Sequence, residues 1–407
     1  MSWDYVTLDM LGDVSRGKSK HRPRNDASLF GGQYPFIQTA DVKSADFYIN
    51  DYTETYNEKG LAQSKLWKSG TLCITIAANI ADTAILGIDA CFPDSIMGFV
   101  PYDGVSDVRF VKYSFDLLQK NMKQISQGTA QDNLSWEKLS TFKFPAPHID
   151  IQRKIADYLS AYDDLIENNQ KQIKLLEEAA QRLYKEWFVD LRFPGHEQTK
   201  IVDGVPENWS VQLLSQVFSY VRGKSYSSSD IVDDRQAGIS LINLNSIKPF
   251  GGYKRNAEKR YLGKVNDNQF VNAGDVLMGV TDMTQERRLV GHVALVPNLR
   301  KQATFSMDLI KLEPFTVPKY YLYASLRYGG YSNRIAQLAN GVNVLHLKPE
   351  SIMNLKMPIP QISILKKFDE VFASYQKKIE ILENQMSLAS EARDRLLPKL
   401  MNGEIEL

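Results

Sequence analysis

Near its start the chain reads Arg16-Gly17-Lys18-Ser19-Lys20-His21-Arg22-Pro23-Arg24, five full cations and a histidine in nine residues. Gly17 and Pro23 interrupt any helix, so this is a basic, irregular loop. Such a loop can hold phosphates and reach base edges; composition alone favours a solvated loop without a partner. The segment Gly12 to Ser19 also matches G-x-x-x-x-G-K-S, the phosphate-cradling P-loop. Its context argues against nucleotide binding. A P-loop needs a buried strand before it and a helix after it. Here Tyr5 to Met10 alternates, and Lys20 to Arg24 cannot open a stable helix.

Catalytic chemistry is hard to find elsewhere. The five histidines (His21, His148, His196, His292, His346) have no metal-ligand spacing, so no metal site is expected. Neither a methyltransferase tetrapeptide of the N-P-P-[FY] or D-P-P-Y kind, nor a glycine fingerprint after a strand, nor a nuclease carboxylate cluster stands out. Cys73 and Cys91 fit neither a disulfide framework nor a zinc knuckle, which suits a reducing cytoplasm. No catalytic residue is assigned, and the chain reads as a binding protein.

The elements that would position the basic loop occur twice. Trp3 is followed thirteen residues later by Arg16-Gly17-Lys18-Ser19, and Trp209 thirteen residues later by Arg222-Gly223-Lys224-Ser225, a shift of 206. In the second copy Gly12 becomes Phe218, which removes the first P-loop glycine. Ile37-Gln38-Thr39 is similar to Ile242-Asn243-Leu244, with Asn245 beyond; Gln38 and Asn243 carry amides of the kind that bind adenine. Later the shift becomes 213: Gly128 matches Gly341, Pro145-Ala146-Pro147 matches Pro358-Ile359-Pro360, and the helix caps Asp150 and Ser363 coincide. The second globular part is therefore seven residues longer. Its loop keeps only Arg222 and Lys224 before turning to Ser225, Ser227, Ser228 and Ser229.

Past each cap the apolar spacing becomes heptad-like. The first stripe is Ile155, Leu159, Tyr162, Ile166, Asn169, Ile173, Leu176, Ala180, Leu183 and Trp187. The second is Phe368, Phe372, Tyr375, Ile379, Leu382, Met386, Ala389, Arg393, Leu396 and Leu400, with Pro398 expected to end or kink the helix. Each helix would run roughly 50 Å. Antiparallel packing of the two, with a globular domain at either end of the rod, is the simplest closure. Asn169 and Arg393 would then fix register. The globular parts read as mixed α/β, with strands at Thr71–Ile76 and Asp275–Val280 and helices over 112–126 and 319–340. The fold class is thus α+β: two pseudo-symmetric globular α/β domains joined by two long helices in an antiparallel coiled coil.

Size and composition agree. The 407 residues are too many for one core, and 43% hydrophobic with 24% charged content is ordinary for a soluble globular protein. A formal net charge of +1 puts any nucleic-acid affinity in local patches. No signal-peptide core and no span of about 20 apolar residues is expected.

With the repeat and the paired helices in place, the chain resembles the specificity subunit of type I restriction-modification systems over essentially its full length. Leu183-Tyr184-Lys185-Glu186-Trp187-Phe188-Val189-Asp190-Leu191-Arg192-Phe193-Pro194-Gly195 is similar to the family's central segment. Arg395-Leu396-Leu397-Pro398-Lys399-Leu400-Met401-Asn402-Gly403-Glu404 is similar to its ending. Residues 17–25 and Tyr34-Pro35-Phe36-Ile37-Gln38-Thr39 resemble one recurring type of first recognition domain.

The resemblance implies residues 1–147 as a first target recognition domain, 148–190 as the central helix, 191–360 as linker and second recognition domain, and 361–407 as the distal helix and tail. Each recognition domain would read one half of a bipartite, asymmetric site in double-stranded DNA. The DNA-facing candidates are Arg16, Lys18, Lys20, His21, Arg22, Arg24, Gln38 and Thr39 in one domain, and Arg222, Lys224, Ser225, Asn243 and Asn245 in the other. The helices would set the spacer and dock two modification (methyltransferase) subunits, with restriction subunits joining. The chain itself would carry no cofactor; S-adenosylmethionine, ATP and magnesium would belong to the partner subunits. A specificity subunit of an enzyme that cuts on both sides of its site is a near variant, and a coiled-coil scaffold without DNA specificity is a reading of another class.

Overall fold

A computed structural model describes residues 3–76, 81–127, 136–232, 238–299 and 301–407. Gly128 of the repeat lies outside them. The chain divides into two units: Met1–Lys171 with Glu383–Leu407, and Gln172–Leu382.

In the first unit a five-stranded sheet runs in the order Gly12–Arg16, Ile96–Pro101, Leu72–Thr75, Thr83–Leu86, Tyr48–Ile49. Every residue of Leu72–Thr75 and of Thr83–Leu86 is buried, as continuous apolar runs in a central position must be. A second sheet has the order Glu54–Tyr56, Phe30–Phe36, Ala90–Cys91, Leu66–Trp67, and Tyr5–Val6 pairs with Phe144–Pro145. The helix Val108–Gln127 covers the first sheet, burying Phe110, Val111 and Phe115 beside Phe99 and Leu72.

The second unit repeats this plan. Its first sheet has the order Phe218–Arg222, Leu309–Pro314, Val276–Gly279, Val293–Leu295, and its second Ile231–Val232, Lys259–Tyr261, Ile239–Ile242, Ala303–Phe305, Phe270–Val271. Gly12–Arg16 and Phe218–Arg222 stand 206 apart and have the same burial pattern. Ile96–Pro101 and Leu309–Pro314 stand 213 apart. Each second sheet holds one parallel pair, Phe36 with Cys91 and Ser240–Ile242 with Ala303–Phe305. Tyr5 pairs with Pro145 as Val211 pairs with Pro358. Thirteen residues separate the strands Val276–Gly279 and Val293–Leu295, against seven between their counterparts Leu72–Thr75 and Thr83–Leu86; most of the extra length sits there. The helix expected over 319–340 is two, Lys319–Tyr328 and Tyr331–Ala336, because Gly329-Gly330 breaks it and Gly330 is left-handed at φ 77°.

The central helix spans Ile149–Tyr184 and continues as a π-helical turn, Lys185–Val189; the distal helix spans Ile362–Met401. In each unit the two pack antiparallel. In the first, Asp163 meets Arg393 and Asn169 meets Gln385; in the second, Tyr184 and Phe188 pack on Phe368, with ring centroids 6.2 and 4.9 Å apart.

The buried stripe departs from strict heptads. Ile155, Leu159, Ile166, Asn169 and Ala180 are buried, but after Ala180 the deepest positions are Tyr184 and Phe188, and Leu183 and Trp187 are only partly covered. The distal helix makes the same one-residue step, burying Leu397 more deeply than Leu396. A straight helix drifts about 20° per heptad from a 3.5 repeat, and over four heptads that moves the contact to the next residue. Pro398 does not end the distal helix before Leu400. The helix runs through it to Met401, and Leu397, Leu400 and Met401 are held in the first unit's core. That burial offsets the hydrogen bond a proline removes.

Candidate nucleic-acid interface

The Arg-Gly-Lys-Ser segment is placed by a crossing of backbones. Gly17 donates to the Ile96 carbonyl at 2.8 Å and Lys18 to the Phe92 carbonyl at 3.0 Å; Gly223 donates to Leu309 at 3.1 Å and Lys224 to Phe305 at 2.7 Å. A Cβ on Gly17 would lie 2.3 Å from the Pro93 oxygen, and one on Gly223 2.0 Å from the Ser306 oxygen. Only glycine fits such an approach. The P-loop match is therefore a strand crossing: Gly12–Arg16 is itself a strand, and no helix follows Ser19 directly.

The same crossing gathers the first unit's candidates. Ile37 donates to the Cys91 carbonyl at 2.8 Å, one residue before the Phe92 carbonyl that holds Lys18, so Gln38 and Thr39 flank the strand that anchors the basic loop. The loop rests on the 63–64 segment, His21 donating to Gln63 Oε1 at 3.0 Å and Ser64 Oγ to the Lys18 carbonyl at 2.7 Å.

Its charges are not equally available. Arg22 and Arg24 converge on Asp94, at 3.6 and 2.5 Å, and Arg22 also donates to the Ser19 carbonyl at 2.6 Å. His21 pairs with Asp26 at 2.8 Å. The amide and hydroxyl of Ser28 and the ring of His21 hold the Asp26 carboxyl below its usual range. Among the described residues Arg16, Lys18 and Lys20 are exposed and bear no ion pair. Gln38 Nε2 donates to Glu54 at 2.6 Å, and its backbone N–H is capped by Asp41 at 2.7 Å.

In the second unit the correspondence is positional, not chemical. Arg222 bonds Glu350 at 2.8 Å beside Tyr220, whose hydroxyl donates to the same carboxylate at 2.7 Å. The Tyr220 hydroxyl, the local backbone and Arg222 pull the Glu350 carboxyl down to about 2. Asn243 must be withdrawn as a base reader. It is buried, its Oδ1 accepts from Asn245 N at 2.8 Å and its Nδ2 donates to the Ala257 carbonyl at 3.1 Å. An asparagine in that place caps the turn Leu244–Ser246. Ser225 and Asn245 remain exposed and Lys224 half-buried.

Sequence reasoning passed over a second feature of this unit. The loop after Val276–Gly279 contains Met283 and the cation pair Arg287 and Arg288, and it is gathered around buried Asp282. Asp282 accepts from Thr284 N at 2.8 Å, Leu289 N at 2.6 Å and Val290 N at 3.2 Å. Burial opposes its ionisation, but these donors together hold its carboxyl below the ordinary range. The length excess of this copy and its Thr-Gln-Glu-Arg-Arg run were the available signals.

Among the described residues no group of three or more His, Cys, Asp or Glu could hold a metal, and no helix is long and apolar enough to cross a membrane. Both thiols are buried and unpaired, and burial pushes them up.

The model of the type I restriction modification DNA specificity domain matches residues 2–178. The type I restriction enzyme MjaIX specificity subunit of Methanocaldococcus jannaschii is 25% identical over 419 residues, covering 100% of this chain and 94% of that one. The HindI specificity subunit of Haemophilus influenzae is 21% identical, covering 97% and 98%. A crystal structure of the type I restriction-modification S subunit from M. genitalium covers 98% of this chain and 96% of its own with a TM-score of 0.62, at 16% identity.

Proposed function

Because the chain belongs to the specificity subunits of type I restriction-modification systems, the non-catalytic DNA-recognition members of those complexes, we propose that each of its units reads one half of a split, asymmetric site in double-stranded DNA. One observation carries this reading. The same backbone crossing presents Arg16, Lys18 and Lys20 in one unit, and Lys224 with a serine run in the other. Two readers on one frame with different side chains suit two different half-sites. Residues 1–147 and 191–360 then hold the target recognition domains. Free lysines position the duplex through phosphates, while Gln38, Thr39, Ser225 and Asn245 face base edges.

The paired helices set the unread spacer and dock two modification subunits, which bring S-adenosylmethionine; restriction subunits bring ATP-driven cleavage, with magnesium. Exposed apolar residues recur at matching positions in the two copies: Tyr5 and Val211, Tyr102 and Phe315, Tyr158 and Val371, Leu175 and Leu388. Each unit holds one complete set. The fold gains nothing from leaving them in water, and recurrence suits two copies of one partner. The complex works on DNA in the cytoplasm.

Methylome sequencing of cells carrying this chain with its modification subunit tests the reading. A chain-dependent, two-part adenine-methylated motif with a fixed gap is expected. A methylome unchanged by the chain, with no sequence-selective footprint from the assembled complex, would overturn it in favour of a scaffold.

A further inference from the structure

Three loops of the second unit come together: residues 248–254, 283–289 and 340–346. Phe250 N donates to the Arg288 carbonyl at 2.7 Å, Gly252 N to Val293 at 2.8 Å, and Gln285 Nε2 to the Val342 carbonyl at 2.6 Å. Beneath them Asp282 gathers the middle loop, Thr281 pairs with His346, and the Phe250 ring stands edge-on to His292 at 5.6 Å. This surface adjoins the Arg-Gly-Lys-Ser crossing. Met307 N donates to the Lys224 carbonyl at 2.9 Å, and the neighbouring Asp308 accepts from Thr281 Oγ1 at 3.0 Å.

The tips of these loops are apolar. Met283 is 78% exposed, Val342 88% and Phe250 59%. Two residues of these loops hold costly backbone conformations, Phe250 at φ 63° and Arg287 at φ 54°; bulky residues rarely adopt these, and they persist where surrounding structure enforces them. Around the tips stand Lys248, Lys254, Arg287 and Arg288. Glu286 is the one carboxylate exposed on the three loops, and it pairs with Arg288. Arg287 Nε is buried without a hydrogen-bond partner among the described residues. A braced, apolar-tipped, basic-rimmed surface continuous with a DNA-facing crossing suits the one apolar group a base pair shows in the major groove, the thymine methyl.

We propose that Met283 and Val342 are specificity-determining residues that read thymine methyl groups in the second half-site; this rests on the DNA-reading function above. The loops fix the backbone that carries the two exposed side chains, the flanking cations hold the adjacent phosphates, and the missing methyl of a cytosine or uracil leaves apolar surface uncovered. Burying one methyl is worth about fourfold in affinity.

The test uses the full chain assembled with its modification subunit. Duplexes are first selected from a random pool, and deoxyuridine then replaces each thymine of the second half-site. The unaltered complex should lose about fourfold at one or two positions. Complexes with Met283→Ser or Val342→Ser should bind thymine and uracil alike there, with first half-site preference and salt slope unchanged, since an apolar contact releases no counterions. The proposal is overturned if the variants still discriminate as the unaltered complex does, if uracil is tolerated throughout, or if the variants lose the modification subunit, which would make the surface a protein interface. A complex that selects no two-part sequence at all instead defeats the DNA-reading function itself.

Discussion

Asp94 and Asp282 show what a single carboxylate does beside these loops. Asp94 holds Arg22 and Arg24, so Asp94→Ala should free two guanidiniums and steepen the salt dependence of non-specific DNA binding. Lys18→Ala and Lys20→Ala should each flatten it by about one unit of slope; equal slopes across the three variants in a salt titration would remove the loop from the interface. Asp282→Ala leaves the buried Val290 amide, the partly buried Leu289 and Thr284 amides and the Thr284 hydroxyl without their acceptor and should destabilise the second unit by roughly 3 kcal/mol in urea unfolding. Because the folded Asp282 carboxyl lies below its ordinary 3.8, its contribution is complete above that pH and fades as pH falls through the depressed value. The variant's deficit should therefore shrink on acidification. The cations of residues 16–24 were legible from composition. Their partner Asp94, seventy residues on, was not, because ion pairing depends on which loops meet.

At the scale of elements, the helix pair differs between the units. In the first, buried Asp163 accepts from Arg393 and from the Tyr113 hydroxyl, and Asn169 Nδ2 donates to Gln385 at 3.2 Å. The repeat puts Gln376 and Ala180 where the first unit has Asp163 and Arg393, and the second unit's helix contact is aromatic. Asp163→Ala removes the buried acceptor shared by Arg393 and the Tyr113 hydroxyl, leaving Arg393 to the exposed Asp394 at 2.8 Å, and should cost roughly 2–3 kcal/mol in urea unfolding; a loss below about 1 kcal/mol would show the pair to be incidental. The heptad pattern located both helices because apolar spacing survives in sequence. The step from Leu183 and Trp187 to Tyr184 and Phe188 did not show, since it accumulates from helix geometry. Pro398 misled for a similar reason: local propensity says stop, and the core around Leu400 overrides it.

Across the whole molecule the repeat separates shared work from divided work. Apolar residues exposed in both copies suit a partner present twice. Tyr158→Ser alone should lower the modification subunits bound from two to one, and Tyr158→Ser with Val371→Ser to none, by native mass spectrometry; two retained by the double variant would move the docking surface elsewhere. Four residues inserted near Asn169 should lengthen the recognised spacer or abolish assembly, and an unchanged methylated motif would refute the ruler. Sequence by itself determined the duplication, the two helices and the family, because periodicity, a glycine forced by close approach and a proline pair leave one-dimensional traces. Tertiary structure alone decided which cations stay free, that Asn243 is a cap, and that Phe250, Met283 and Val342 share a surface. Those outcomes depend on contacts between residues tens of positions apart, and no spacing in the chain encodes them.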